Sequence, residues 1–196
     1  MPELAAEAYG PRGDASSHRP LAELEAGLRA LAEPPRDSGC IALIVRRRAD
    51  GVRETPGSVE LSREEGVPGD GWNRRPPRNP EAQLAVMRTD VAALIAGGQA
   101  LTLFGDNLFV DIDLSSANLP IGARLRAGRA VVEVTPKPHN GCHKFKGRFG
   151  DDALQLVQDE RTRNLNLRGI YWRVVEPGEV GLGDPIDVLS RADCEE

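Results

Sequence analysis

The chain has 196 residues and a formal net charge of -5 at pH 7, with 25 Lys and Arg against 30 Asp and Glu. This length favours one domain with a single sizeable core, and the acidic balance argues against a nucleic-acid binder. Cys40, Cys142 and Cys194 are an odd number at wide spacings, which is typical of a reducing compartment. No secretory leader or membrane-spanning apolar run is visible. We therefore expect a cytoplasmic protein that binds neither nucleic acid nor membrane.

The N-terminal part of the chain carries one helical pattern. Residues 1 to about 18 mix Pro, Gly, Ser and charge without periodicity, which predicts a loosely ordered lead-in. From Pro20, leucines at 21, 24, 28 and 31 recur at helical spacing until Pro34-Pro35 ends the pattern. This predicts a short amphipathic helix, which either packs on its own domain or docks on a partner.

The rest of the chain consists mainly of short apolar runs of strand length, separated by turns rich in Gly, Pro and Asp. Only two or three short helical patterns interrupt these runs, at 90–96 and from Asp151 to about Arg163. This order predicts a mixed α/β, β-rich fold with a barrel-like core and a few short peripheral helices. We expect three parts: an N-terminal extension with one helix (1–38), a main domain (39–190) and a C-terminal tail (191–196).

The segment from Lys137 to Gly150 concentrates unusual chemistry. Cys142 lies between His139 and His143, two of the three histidines of the chain, and cations follow it. These neighbours can stabilise a thiolate, the form that attacks electrophiles and binds metals. The prolines and glycines around the cysteine predict a turn or loop. Three interpretations stay open: a reactive thiol, a small buried cysteine, and a zinc site formed by His139, Cys142 and His143.

A second candidate site lies between residues 72 and 80. It combines guanidinium groups, amides and an indole in a loop stiffened by prolines: Trp72, Asn73, Arg74, Arg75, Arg78 and Asn79. Arginine forks suit the geometry of a phosphate group. The segment is therefore either an anion site or a solvated basic linker.

Five motifs occur in an order that resembles the MOSC family, named after the C-terminal domain of molybdenum-cofactor sulfurases, which includes stand-alone bacterial proteins. The motifs are Glu65-Gly66-Val67-Pro68-Gly69-Asp70, Gly105-Asp106-Asn107-Leu108, Leu119-Pro120-Ile121-Gly122-Ala123-Arg124-Leu125, Val132-Glu133-Val134-Thr135 into Cys142, and Gly169-Ile170-Tyr171-Trp172-Arg173-Val174 into Gly178 and Gly183-Asp184. The likeness runs from about Gly39 to Leu189. Two positions depart from the family pattern: Gly71 stands where a basic residue is usual, and Gly141 where proline commonly precedes the cysteine.

The resemblance implies a MOSC-type barrel at 39–190 and a molybdenum cofactor (molybdopterin). It also implies that Cys142, the one position matching the family's loop cysteine, ligates molybdenum or carries a persulfide. Both roles need a soft sulfur donor. From their residue types, the candidates for contacts with the cofactor are Arg74, Arg75, Arg78 and Arg148 for its phosphate, Trp72 and Asn107 for its ring, and His139 and His143 for charge at the sulfur.

Two activities follow from the resemblance: reduction of N-hydroxylated bases or amidoximes at the metal, and sulfur transfer to the metal. The chain has no flavin or iron–sulfur motif and no room for a desulfurase domain. We therefore expect a pterin cofactor, a small-molecule substrate and a separate protein that donates electrons or sulfur, and we also consider a homodimer. The alternatives are a non-catalytic scaffold with the MOSC fold and the zinc-binding module.

Overall fold

The computed structural model describes residues 11–74 and 77–191. Its main sheet contains β1 (Ser38–Ile44), β5 (Leu84–Arg88), β6 (Leu108–Asp111), β7 (Arg124–Ala127), β8 (Ala130–Val134), β9 (Ile170–Glu176) and β11 (Pro185–Ser190). These strands close into a barrel in the order β1-β11-β7-β8-β9-β5-β6. All neighbours are antiparallel except β5 and β6, which are parallel. The predicted β-rich fold with a barrel-like core is confirmed.

In the part of the chain that the structure describes, two small sheets lie beside the barrel. The hairpin of β2 (Arg46–Arg47) and β3 (Arg53–Glu54) follows β1 directly. The other sheet pairs β4 (Ser58–Leu61) with β10 (Gly178–Gly181). The hairpin carries two arginines of the candidate site described below.

The alternation of side chains in β9 gives the barrel an inner and an outer face. Ile170, Trp172 and Val174 are buried inside the barrel, because successive side chains of a strand point to opposite faces. Tyr171 lies between two of them in sequence and therefore points outwards. In register it is paired with Ala85 of β5. The outer face of this pair forms part of the candidate site.

Within the described residues, five α-helices lie on or near the outer face of the barrel: α1 (Leu21–Ala30), α2 (Gly71–Arg74), α3 (Thr89–Ala96), α4 (His143–Phe149) and α5 (Asp151–Gln158). Helix α1 contacts α3 and α5, and Leu24 is completely buried between them and the barrel. The leucine repeat therefore packs on its own chain. None of the helices in the described part of the chain combines the length and hydropathy needed to span a membrane.

Helix α4 differs from the sequence prediction, which expected a loop around Cys142. The helix forms because Phe145 and Phe149 lie one turn apart and both bury against Phe104, with ring centroids 5.9 and 4.1 Å from it. The loop prediction holds for residues 137–142 and is wrong from His143 onwards.

The segment 11–18 also differs from its prediction. It contains a short 3-10 helix at Ala15–Ser17, and it lies against α4, where Nε of Arg148 donates to the Pro11 carbonyl at 3.1 Å. His18 contacts the Arg148 carbonyl at 3.2 Å. The expected loose order is therefore wrong for residues 11–18. Residues 1–10 and 192–196 lie outside the described residues, and the three-part division of the chain stays a prediction.

Replacing Leu24 by alanine tests whether α1 belongs to the core. Since Leu24 is fully buried, Leu24→Ala should lower the free energy of unfolding by about 2–5 kcal/mol, measured by urea denaturation. Val52→Ala is the control, because Val52 is 52% exposed and should change stability by less than about 0.5 kcal/mol. Equal effects of the two substitutions would contradict the packing of α1.

Candidate functional site

A cleft of about 470 Å³ opens on the outer face of the barrel where β5 and β9 pair. Ala85 and Tyr171 form its wall on the barrel side. The remaining walls come from the β2-β3 hairpin, from α2 and the loop after it, from the turns before β6 and β9, and from α4 with the segment that leads into it. Because these segments are far apart in sequence, the cleft is formed only when the barrel closes.

The cleft is cationic although the chain is acidic. Six basic side chains line it: Arg47, Arg53, Arg78, Lys144, Arg148 and Arg168. Among the described residues, none of those lining the cleft is an Asp or Glu. Such a surface attracts anions, and arginine forks bind phosphate oxygens in pairs. The cleft therefore suits an anionic ligand.

Cys142 lies at this cleft, is exposed, and immediately precedes the first residue of α4. The loop before it is tied to α5 by Gln158, whose Nε2 donates to the Gly141 carbonyl at 3.2 Å. A Cβ atom on residue 141 would lie 2.5 Å from Cδ1 of Leu154 and 3.1 Å from Cγ2 of Val157. A side chain at position 141 would therefore require the methyl groups of Leu154 and Val157 on α5 to shift.

A buried polar cluster forms the floor of the cleft. Nη1 of Arg168 donates to both oxygens of Asp106, at 3.0 and 2.7 Å, and the Asp106 side chain is completely buried. Nδ1 of His139 lies 3.5 Å from Oδ1 of Asp106. The His139 ring also packs on Tyr171, with 4.3 Å between ring centroids. The turn before β6, the turn before β9 and the cysteine loop thus meet at one point.

The charges in this cluster follow from burial. Burial raises the pKa of Asp106, although the positive charge of Arg168 opposes the shift. Burial, and then the charges of Arg168 and Arg47, lower the pKa of His139 well below its ordinary value of 6.5. The imidazole is therefore neutral near pH 7, and its contact with Asp106 is not an ion pair.

Tyr171 and Arg148 share the electrostatic environment of Cys142. Burial, and next the charge of Asp106, raise the pKa of Tyr171, so the phenol stays protonated. Burial lowers the pKa of Arg148, and the charge of Cys142 opposes this shift. The guanidinium is held by backbone carbonyls, including Leu103 O at 2.6 Å. The thiol, the phenol and the guanidinium thus lie within electrostatic reach of one another.

Asp70, from the Gly-Asp motif, anchors the opposite wall. Nε of Arg47 donates to both Asp70 oxygens at 3.0 and 3.1 Å, and Nη2 of Arg47 makes a further bond to the same carboxylate. The backbone N of Trp72 donates to Asp70 as well, at 2.9 Å. Burial would raise the pKa of Asp70, but the Arg47 charge and these hydrogen bonds together lower it. The motif therefore joins β2 to α2.

The structure brings five of the predicted site residues together at the cleft: Trp72, Arg78, His139, Cys142 and Arg148. The Arg78 guanidinium lies 5.7 Å from the centre of the Trp72 ring, which is within the range of a cation–π contact. Nε1 of Trp72 donates to the Asn79 carbonyl at 3.1 Å. The arginine and the indole therefore form one unit in the cleft wall.

Three predicted residues lie elsewhere among the described residues. Asn107 is buried, accepting from the Ala85 N–H at 3.1 Å and donating to the Val45 carbonyl at 3.3 Å, so it joins strands. Arg74 supports the wall by donating to the Arg47 carbonyl at 2.8 Å. His143 is exposed on α4 and does not line the cleft. Arg75 lies outside the described residues.

Sequence reasoning missed Arg53, Arg168 and Tyr171 as residues of the cleft. Arg53 is brought in by the β2-β3 pairing, and Tyr171 by the register of β9 on β5. The alternation of apolar residues in β9 is a signal that could have placed Tyr171 on the outer face, but no local pattern indicates what the side chain faces there. Arg168 carried no sequence signal, because its partner Asp106 is 62 residues away.

The zinc alternative finds no support in the geometry. Within residues 11–74 and 77–191, no group of three or more His, Cys, Asp and Glu side chains is placed to hold a metal ion. His139 is turned to the buried Asp106, whereas His143 is exposed. The three residues of this alternative are therefore not placed around one point.

Comparison with known proteins decides the family. The sequence model of the MOSC domain matches residues 71–187, which include α2, Cys142 and β9. The chain belongs to the MOSC domain family. YflK of Bacillus subtilis (strain 168), an uncharacterized protein, is 34% identical over 90 residues, which are 46% of this chain and 38% of YflK. The matched part is thus well under half of that relative.

Solved structures share the fold of this MOSC protein. A hypothetical protein has a TM-score of 0.61 at 22% identity, covering 80% of this chain and 70% of the other. YiiM from Escherichia coli has a TM-score of 0.52 at 24% identity, covering 77% and 70%. YuaD from Bacillus subtilis has a TM-score of 0.52 at 18% identity, covering 79% and 97%. At these identities the likeness establishes the fold alone.

Removing the carboxylate of Asp106 should strongly destabilise the protein. Asp106→Asn leaves the Arg168 guanidinium buried without its counter-charge, and we expect a loss of about 3–5 kcal/mol in urea unfolding at about pH 7. Arg163→Gln is the control, because the Arg163–Glu160 pair is exposed and should contribute less than about 1 kcal/mol. If the loss of unfolding free energy were no larger than that of the control, the Asp106–Arg168 pair would not stabilise the floor of the cleft.

The neutral state of His139 should appear in the pH dependence of stability. In the folded protein the pKa of His139 lies well below 6.5. At pH values below 6.5, His139 therefore binds a proton more readily in the unfolded chain than in the folded protein. Acid should therefore reduce the unfolding free energy, by up to about 1.4 kcal/mol per pH unit for this one group. Urea unfolding at several pH values should give a shallower acid loss for His139→Gln than for the wild type. Coincident curves would contradict a neutral buried ring.

Proposed function

We propose that this MOSC protein binds a molybdenum cofactor in the cleft, with Cys142 as the protein ligand of the metal. The observation that carries the proposal is an exposed thiol at a cleft lined by six cations and, within the described residues, by no carboxylate. A soft sulfur ligand suits a redox metal that is also held by sulfur. A pterin cofactor with a phosphate group is an anion, which the guanidinium groups can hold.

The residues of the cleft fit such a ligand in two further respects. Arg78 and Trp72 together offer a charge for a phosphate oxygen and an aromatic edge for a planar ring. Nε of Arg168 is buried and has no hydrogen-bond partner among the described residues. Buried donors of this kind are usually satisfied, so a ligand group in the cleft supplies a physical reason for its position.

Reduction of N-hydroxylated compounds is the activity that this site supports best. When bound, the cofactor would supply two-electron redox chemistry beside Cys142. Breaking an N–O bond in this way also consumes two protons, and the floor offers a neutral imidazole, His139, and a protonated phenol, Tyr171. The electrons would come from a separate donor protein. The small-molecule substrate would reach the thiol through the open mouth of the cleft.

Sulfur transfer is the second candidate, and the exposure of Cys142 favours it. A persulfide on an exposed cysteine could be loaded by a separate sulfur donor and handed to a metal. Intact-mass measurement after incubation with a cysteine desulfurase and cysteine separates the two roles. A sulfur carrier gains one sulfur atom on Cys142, whereas a reductase that uses the thiol only as a ligand does not.

The cofactor itself is tested by metal and pterin content. Protein from a host that makes the cofactor should contain molybdenum and pterin in about equal amounts, and Cys142→Ser should retain less than about one-tenth of both, because a serine oxygen is a poor soft ligand. Metal analysis and pterin fluorescence give the two contents.

Cys40→Ser is the matched control, because Cys40 lies in β1 and does not line the cleft. It should retain the content of the wild type. Wild-type protein without molybdenum or pterin, or full retention by Cys142→Ser, would refute the proposal.

A further inference from the structure

The N-terminal segment 11–18, called the strap below, lies against the C-terminal end of α4 and the turn after α3. A Cβ atom on Gly13 would lie 2.2 Å from the carbonyl oxygen of Arg148 and 2.6 Å from its Cα. A Cβ atom on Gly97 would lie 2.3 Å from the Ser17 carbonyl oxygen. The strap is therefore in close backbone contact with both elements.

The strap meets the cleft at Arg148. This arginine lines the cleft and is only 7% exposed. Its Nε donates to the Pro11 carbonyl at 3.1 Å, and its Nη1 donates to the Leu103 carbonyl at 2.6 Å. A guanidinium is planar and presents its N–H donors in a fixed geometry, so acceptors at two of its nitrogens fix its plane. The strap supplies one of these two acceptors.

The backbone of Arg148 is held from the same side. Its carbonyl oxygen accepts from Nε2 of Gln99 at 3.2 Å, and Nε2 of His18 lies 3.2 Å from the same oxygen. Oε1 of Gln99 in turn accepts from the Asp14 backbone N–H at 2.7 Å. The strap and the turn after α3 thus hold both the backbone and the guanidinium of Arg148.

We propose that the strap positions Arg148 to bind an anionic group beside Cys142 in the cleft; the identity of that group as a cofactor phosphate rests on the proposed function. Arg148 lies within electrostatic reach of Cys142. A guanidinium that is held in place before the anion binds loses less side-chain freedom on binding, which favours affinity. Gly13, Asp14 and His18 do not line the cleft, so they act on the anion through Arg148 and are positioning residues.

The strap lies outside the part of the chain that matches the MOSC model, which begins at residue 71. Arg148 lies inside that part, on α4. An arginine of the family domain therefore takes its orientation from a segment that precedes the domain. The strap gives the N-terminal extension a role in binding, in addition to the packing of α1.

Replacing Gly13 by alanine tests this role. The backbone of Gly13 is outside the left-handed region, so the effect of Gly13→Ala comes from the contact with Arg148. The Kd of cofactor-free protein for inorganic phosphate should rise by about 10-fold, since a loosened charge-assisted hydrogen bond weakens binding by this order. A calorimetric titration at constant ionic strength measures it, because salt screens anion binding.

Two further variants accompany Gly13→Ala. Gly57→Ala is the matched control, because among the described residues no atom lies within 4 Å of a Cβ at Gly57, and its Kd should equal that of the wild type. Gln99→Ala removes the bonds to the Arg148 carbonyl and to Asp14 without adding atoms. It should raise the Kd by about 3-fold, and it tests the strap even if Gly13→Ala does not fold.

A double-mutant cycle with Arg148→Met separates positioning from a general loss of structure. Arg148→Met removes the guanidinium and should itself raise the Kd by about 10–100-fold. Gly13→Ala should have no further effect in this background, because no guanidinium is left to position. A strap with only a structural role would have the same effect on the Kd in both backgrounds.

An unchanged Kd in Gly13→Ala and Gln99→Ala, an effect of Gly13→Ala that persists in Arg148→Met, or a wild type without affinity for phosphate would overturn the role of the strap. If wild type from a host that makes the cofactor contains molybdenum and pterin while the strap variants bind phosphate normally, the strap fails and the proposed function stands. If wild type contains no cofactor while the strap variants bind phosphate more weakly, the proposed function fails and the strap stands.

Discussion

The buried ion pair between Asp106 and Arg168 is the interaction on which the candidate site depends. Asp106 lies just before β6 and Arg168 just before β9, and both strands pair with β5. The pair therefore ties the two turns on either side of β5. Isolated charges are expensive to bury, and hydrophobic replacements of a buried pair are often as stable. Stability alone therefore does not explain why this buried pair is charged. The position of the pair at the floor of a polar cleft does explain it.

The Asp106–Arg168 pair also influences the protonation states of the groups around it. Arg168 faces His139 together with Arg47, and burial with these charges keeps the imidazole neutral. Asp106 contributes to keeping the Tyr171 phenol protonated. An acidic chain thus presents a cationic cleft whose floor carries neutral proton donors. The cations that line the cleft and the neutral groups of its floor thus lie side by side, an arrangement that is compatible with the proposed reduction.

The barrel could be predicted from sequence because it depends on local information. Strands are indicated by period-two alternation and by glycine-rich turns, without knowledge of the strands they pair with. The alternation of Ile170, Trp172 and Val174 is an example. Its neighbours and the order of motifs predict Cys142 as the centre of the candidate site, and the structure places it at the cleft. Helix α4 could not, because its prolines and glycines upstream indicated a loop, and the burial of Phe145 and Phe149 on Phe104 is a tertiary contact. Asn107 was misassigned for a similar reason: its polar amide satisfies buried backbone groups.

A crystal structure with anomalous data at the molybdenum edge would show directly whether Cys142 binds a molybdenum cofactor in this cleft. For protein from a host that makes the cofactor, we expect one anomalous peak bonded to Sγ of Cys142. We also expect density for a pterin phosphate in contact with arginines of the cleft. A cleft that contains only solvent, or a metal bound away from Cys142, would refute the proposed cofactor site.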